Sequence, residues 1–287
     1  MRAEVVEAGG TELLVYEWGE PGRPAILYWD GLRGTGLHAN ELGPLLADGG
    51  FRVVAPDPPG HARSPAVALE AFRPSRLAGL AAELLAALGI ARATFLGFSW
   101  GAEIGCAFAA RRPELTDRLV LVDGGYVDFA DLSGFDLEAD LEACVERARA
   151  RAGRRRFPSW DAYFASERDD LGRWTPALEA AHRETMREQD GAVVPVLEPD
   201  AAGAIHHGGL VEPGVSTYPA LRAAGVPIVL VVPSVGVARS PVAQRCLARF
   251  AEQVPQLDVR ELPGAVHDLV SVAPAEVAAI VRAWIAK

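Results

Sequence analysis

The pentapeptide Gly97-Phe98-Ser99-Trp100-Gly101 constrains this chain more than any other stretch. It follows a short apolar run, Ala93-Thr94-Phe95-Leu96, and opens a stretch, 102–111, that reads as a helix. Strand, G-x-S-x-G, helix describes a turn so sharp that residues without side chains must flank the serine. The two glycines let strand and helix approach closely, and the turn lifts the Ser99 hydroxyl clear of a sheet. With 29 glycines in the chain the pentapeptide alone carries little, and its flanks make it specific.

The rest of the chain supplies the sheet such a turn needs. Two strands are expected at 3–8 and 12–18, hinged at Gly9-Gly10, followed by a buried strand at 25–29 and a short helix at 40–47. A strand at 52–55 leads into Asp57-Pro58-Pro59-Gly60-His61. Leu77, Leu80, Ala81, Leu84, Leu85 and Leu88 then form one apolar stripe at helical spacing. After the strands at 94–96 and 119–122 the rhythm breaks: between about 124 and 218 there is no convincing buried strand. Two amphipathic helices are expected there, one on the stripe Leu137, Leu141, Val145 and Ala148 and one over 177–187. The alternation resumes with a strand at 228–232, a helix at 242–254, a strand at 257–262, and a final helix whose buried face holds Val277, Ile280, Val281, Trp284 and Ile285. Strands alternating with helices predict an α/β fold, a mostly parallel doubly wound sheet covered on both faces. The expected division is a core of residues 1–123 and 219–287 and a helical cap, 124–218, inserted over the carboxyl ends of the strands, where such sheets take ligands.

Composition narrows the classes. At 287 residues, half of them hydrophobic, the chain suits one large domain with an insertion. A net charge of −10 argues against nucleic acid or an anionic membrane as partner. No apolar run is long enough to span a bilayer, and residues 1–5 lack the apolar core of a secretory signal. Cys106, Cys144 and Cys246 have neither metal-ligand spacing nor an even count, so they are read as reduced thiols of a cytoplasmic protein. His206-His207 lacks companion ligands. No metal or other cofactor is expected, and the expected partner is a small-molecule substrate.

From end to end, less clearly in the cap, the chain resembles the α/β-hydrolase superfamily, and within it the cap-bearing serine esterases and haloperoxidase-like hydrolases. Three stretches carry the resemblance. They are the pentapeptide, the run from Asp57 to Ser64 (close to D-x-P-G-x-G-x-S, with Ala62 in place of a glycine), and Val266-His267-Asp268 between the last strand and last helix. The resemblance implies the α/β-hydrolase fold, with Ser99 as nucleophile and His267 as the base that takes its proton. The family's usual acid position follows the strand at 228–232, but no Asp or Glu occurs from Val226 through Ala251. The family's alternative position, after the strand that follows the elbow helix (the helix at 102–111, beyond the sharp turn, or elbow, at Ser99), holds Asp123, so Asp123 is the expected acid. Asp128 and Asp131 are its nearest rivals, and Asp268 is expected to point away from its neighbour's ring. The backbone N–H groups of Trp100 and Leu32 are the implied oxyanion donors. The family's usual His-Gly pair is here Asp30-Gly31, which sets a carboxylate near the hole unless Arg33 pairs with it; Arg33 can instead meet an anionic substrate.

Asp30, Arg33, Trp160 and Tyr163 are the expected pocket residues, with Tyr28, Trp29, Phe157, Phe164 and Trp174 as further aromatic candidates. Glu103, in the first turn of the elbow helix, suits the helix dipole or a polar role at the pocket base. The arginines at 147, 149, 151, 154, 155 and 156 suit a solvated helix end or recognition of an anion. Two functional classes follow. One is a serine hydrolase cleaving an ester, lactone or similar acyl bond of a small, largely apolar substrate, with a carbon–carbon bond hydrolase as its variant. The other is a binding protein of the same fold with little turnover, favoured by the empty acid position and by Asp30.

Overall fold

The protein, described here from a computed structural model, is defined over residues 1–132 and 136–286. Its chain opens with a hairpin, β1 (Arg2–Ala8) and β2 (Thr11–Trp18), turned by Gly9 and Gly10, both at positive φ. Then come β3 (Ala25–Trp29), α1 (Leu42–Asp48), β4 (Arg52–Pro56), α2 (Pro74–Ala87), β5 (Ala93–Phe98), α3 (Trp100–Arg111) and β6 (Thr116–Val122). The chain next leaves the sheet and forms α4 (Leu141–Arg151), α5 (Trp160–Leu171), α6 (Pro176–Glu184), a hairpin of β7 (Met186–Gln189) and β8 (Ala192–Pro195), and α7 (Pro199–Val211). It returns through α8 (Tyr218–Ala224), β9 (Ile228–Pro233), α9 (Pro241–Gln253), β10 (Leu257–Leu262), α10 (Leu269–Val272) and α11 (Pro274–Ile285). Among the described residues, no helix is long and apolar enough to cross a membrane.

The main sheet has eight strands in the order β1-β2-β4-β3-β5-β6-β9-β10. β4 through β10 run parallel, with the antiparallel β1–β2 pair at one edge. Strand periodicity divides the core in two. In β3, Leu27 and Trp29 face the layer of α2, α3, α8 and α9, while Ile26 and Tyr28 face the layer of α1 and α11. The first layer packs tightly; the Phe95 and Phe108 rings lie 5.1 Å apart, both fully buried. Truncating such a buried ring to alanine costs about 3–5 kcal/mol.

Register matters most for the site. Trp29 pairs with Gly97, Phe98 with Val122, Val122 with Val231, and Pro233 with Leu262. Five parallel strands therefore end at one level, and the loops carrying Asp30, Ser99, Asp123, Ser234 and His267 all leave from that edge.

Two expectations for the inserted segment are corrected. The apolar stripe does not include Leu137, which is exposed and precedes α4; Asp140 caps that helix by accepting from the Ala143 N–H. The second helix stops at Glu184, and the chain turns into the β7–β8 hairpin, whose Ala192 and Val193 are buried. Its turn, Asp190-Gly191, has φ of 50° and 69°, the pair of positive angles a two-residue hairpin requires.

Candidate active site

Ser99 stands at the top of β5 with φ 52° and ψ −118°, a conformation rare for any residue with a side chain. Its N–H donates to Val122 O at 2.9 Å and its carbonyl accepts from Ala102 N, so sheet and helix together hold the strained angle. Glycine is required beside it for space: a Cβ on Gly97 would overlap the Gly101 carbonyl, and one on Gly101 would overlap the Trp29 carbonyl.

Asp123 follows the last residue of β6, the strand beside β5, and its N–H donates to Val231 O. His267 lies in the loop between β10 and α10. The register brings the three side chains into a line. His267 Nδ1 lies 2.6 Å from Asp123 Oδ2, and His267 Nε2 lies 3.0 Å from Ser99 Oγ. The carboxylate holds the imidazole proton on Nδ1, which leaves Nε2 free to accept from the serine hydroxyl. Partial burial disfavours the imidazolium, but the hydrogen bond and charge of Asp123, aided by Asp268, outweigh it, so the His267 pKa lies above that of free histidine. Tyr126, which the sequence reading missed, donates its hydroxyl to the second oxygen, Asp123 Oδ1, at 2.8 Å. Only its place three residues after the acid hinted at this.

The rival carboxylates are engaged elsewhere. Asp131 accepts from Arg249 at 2.6 Å, Asp128 accepts from the Ala130 N–H, and Asp268 caps α10 through the Ser271 N–H.

Beside Ser99, Trp100 is the first residue of α3, so its N–H has no acceptor within the helix. The Trp100 ring stacks on buried His61 (centroids 5.5 Å apart), which burial keeps neutral by pushing its pKa down to about 4. Across the gap, the loop after β3 binds through the amides of Gly31, Gly34 and Thr35, and that of Leu32 makes no hydrogen bond among the described residues. Leu32, Ser99 and Trp100 all line one cavity. Buried Asp57 steadies this loop, accepting from the Thr35 hydroxyl and from the amides of Gly36 and Arg63.

The expected Asp30–Arg33 pair does not form. Asp30 follows β3 on the same side as Tyr28, and its side chain is buried beneath the loop. It accepts from Tyr28 Oη, Gly31 N and Thr35 N, each at 2.8 Å, and pairs with His38 Nδ1 at 2.6 Å. Burial alone would neutralise both groups, yet their attraction shifts Asp30 down and His38 up, so the pair is charged. Asp30 is therefore not part of the lining of the cavity beside Ser99. Arg33, at φ 66°, turns away from it and lines the cavity instead.

Trp160 and Tyr163 also lie outside the cavity lining. With Phe164, Met186 and Val193 they form a small core of the inserted segment, where Tyr163 Oη lies 3.0 Å from His182 Nδ1 and Trp160 Nε1 donates to Glu188 at 2.7 Å. Tyr28 and Trp29 are buried in the main core, and Phe157, Phe164 and Trp174 pack with the small one. Phe157, Trp160, Tyr163, Phe164 and Trp174 thus hold the segment's own elements together.

The cavity encloses about 730 Å³ between Ser99 and the inserted segment. Glu103 lines it, with its carboxyl pKa pushed up to about 7 by burial and by the charge of Asp128. Arg147, Arg151, Arg155 and Arg156 line it too, while Arg149 pairs with Asp200 outside. His206 lines the wall against Phe129, and among the described residues no three His, Cys, Asp or Glu side chains group as a metal site.

Residues 24–161 match the family model for the alpha/beta hydrolase fold. The chain is similar to epoxide hydrolase A of Mycobacterium tuberculosis, 36% identical over 101 residues that cover 35% of this chain and 31% of that one. It is also similar to the 2-hydroxy-6-oxononadienedioate/2-hydroxy-6-oxononatrienedioate hydrolase of Burkholderia vietnamiensis, 36% identical over 122 residues, 40% of this chain and 42% of the relative. The chain thus matches less than half the length of these curated relatives. Among solved structures, E-2-(acetamidomethylene)succinate hydrolase superimposes with a TM-score of 0.77 at 23% identity, covering 100% of this chain and 99% of the other. With the strand order, the sharp turn at Ser99 and these matches, the chain has the alpha/beta hydrolase fold.

Proposed function

We propose that the protein is a serine hydrolase that cleaves an ester, lactone or related acyl bond of a small substrate held between core and cap. The observation that carries this reading is the unbroken line Ser99–His267–Asp123–Tyr126, opening on a cavity beside two amides that have no partner among the described residues. His267 Nε2 takes the proton as Ser99 Oγ attacks the carbonyl carbon, and Asp123 stabilises the imidazolium that forms. The N–H groups of Leu32 and Trp100 receive the oxyanion, helped by the positive end of α3. His267 then gives its proton to the leaving group, and the same base activates a water to release the acyl enzyme.

The hydrolase relatives support a hydrolytic reaction. The Burkholderia relative, whose name gives an oxo-dienoate substrate, favours a second reading in which the bond broken is carbon–carbon. In that case the ester assay below fails while serine labelling succeeds. Asp30, the substitution that favoured a binding protein, is paired with His38 and withdrawn from the cavity.

Steady-state hydrolysis of p-nitrophenyl acetate and butyrate tests the proposal. The base must be neutral, and its pKa is raised. kcat/KM is therefore expected to be full at high pH and to fall tenfold per pH unit below a pKa higher than that of free histidine. Turnover without an acid limb contradicts His267 as the base.

A further inference from the structure

We infer that the cavity over Ser99 recognises a second, anionic group on the substrate, a carboxylate, through Arg33 of the core loop and Arg151 of α4. The inference rests on the reading of Ser99 as nucleophile and names the class of molecule it acts on.

The case begins with charge. The chain carries a net charge of −10, yet six arginines line this one cavity: Arg33, Arg147, Arg151, Arg155, Arg156 and Arg187. Arg147 has Asp136 at 3.8 Å, Arg155 pairs with Glu167 at 2.9 Å, and Arg187 pairs with Glu198. Among the described residues Arg156 meets only backbone carbonyls, those of Gln189 and Asp190, which leave its charge in place. Arg33 and Arg151 make no ion pair or hydrogen bond among the described residues. The cavity's other carboxyls do not answer this charge, since Asp123 is held by His267 and Tyr126, and burial disfavours ionisation of Glu103.

Position makes the excess specific. Arg147 and Arg151 are four residues apart on α4, so one helix face carries both over the cavity while Arg149 points to Asp200 outside. Arg33 follows Leu32, the expected oxyanion donor, at a left-handed φ of 66° that an arginine adopts only under constraint. Burial and the nearby charge of Arg155 both disfavour its cation, and an anion between them relieves both costs. The Arg155 Nε is itself buried with no acceptor. Guanidinium forks in a partly desolvated cleft match the planar, two-oxygen geometry of a carboxylate. A cavity of about 730 Å³ has room for that group beyond the scissile bond.

The experiment compares monoethyl adipate with its neutral counterpart ethyl hexanoate by pH-stat titration at pH 8. A calorimetric arm titrates adipate and inorganic phosphate into Ser99→Ala. The wild type is expected to favour the carboxylated ester at least tenfold in kcat/KM, chiefly through KM, with the preference shrinking as salt rises. Arg33→Gln and Arg151→Gln each reduce that preference about tenfold, the loss expected for one hydrogen bond to a charged group. Arg154→Gln, which lies outside the cavity lining, leaves it unchanged. Adipate binds Ser99→Ala, and binds it more weakly once either arginine is removed. If neither ester is cleaved but adipate still binds with this arginine dependence, the acyl-hydrolase reading fails and the anion site stands. Equal use of both esters, binding of phosphate in preference to adipate, or insensitivity to both substitutions overturns the inference.

Discussion

Ser99 is strained at φ 52°, and that strain is what makes the position useful. It presents the hydroxyl to His267 on one side and leaves the Trp100 N–H, the first of α3, without an acceptor among the described residues on the other. The carboxylate beyond His267 is equally constrained. Asp123 sits at φ 41°, an angle that aspartate and asparagine tolerate better than other side chains, so Asp123→Asn should fold normally. An amide there cannot stabilise the imidazolium, and kcat is expected to fall by about four orders of magnitude, as in other serine triads. Tyr126→Phe removes one hydrogen bond to the carboxylate and is expected to cost about tenfold. An Asp123→Asn enzyme within tenfold of wild type would exclude Asp123 as the acid. Glu103 supplies a separate test through stability. Its folded pKa is raised to about 7, so the folded state holds a proton the unfolded chain has lost between about pH 4.5 and 7. Stability therefore falls as pH rises through that window. Glu103→Gln should raise Tm at pH 8 and leave it unchanged at pH 4; a gain at both values would point to packing. Motif residues were legible at this scale because backbone geometry dictates them. The partner of Asp30 was not, because adjacency suggested Arg33 while the fold supplied His38 from a later turn.

At the scale of elements, the strands and their flanking helices could be read from periodicity, since each buries one consistent face. The β7–β8 hairpin could not, because four-residue strands are too short to show alternation; its Asp190-Gly191 turn was the available signal. The α4 arginines were legible as a run but not as two groups, because which face meets the cavity depends on how α4 packs on α7. The parallel strand ends also explain how Asp123, after β6 rather than β9, reaches His267. Val235, just past β9, donates its N–H to Ala265 O, two residues before His267. The usual acid site is thus structurally present but lacks a carboxylate. Adding Val235→Asp to Asp123→Asn is expected to restore part of the lost kcat. Gly236 is the poorer place, since its φ of 81° would strain an aspartate. No rescue at Val235, in a double variant shown to fold by circular dichroism, would mean that this loop cannot bring a carboxylate to the imidazole.

For the molecule as a whole, the sheet aligns five strand ends and the inserted segment closes a charged cavity over them. The fold and the three central residues were legible because they follow from local motif and strand order. The cavity's chemistry was not, because it depends on side chains more than a hundred residues apart meeting across the core and the inserted segment. The acyl-hydrolase reading depends on Ser99 being the activated nucleophile. Intact-mass measurement after exposure to a fluorophosphonate tests this most directly. The wild type should gain one phosphonyl group, mapped to Ser99 by peptide sequencing, Ser99→Ala should gain none, and His267→Ala should react far more slowly. An unmodified wild type, or an adduct that persists in Ser99→Ala, would contradict the account.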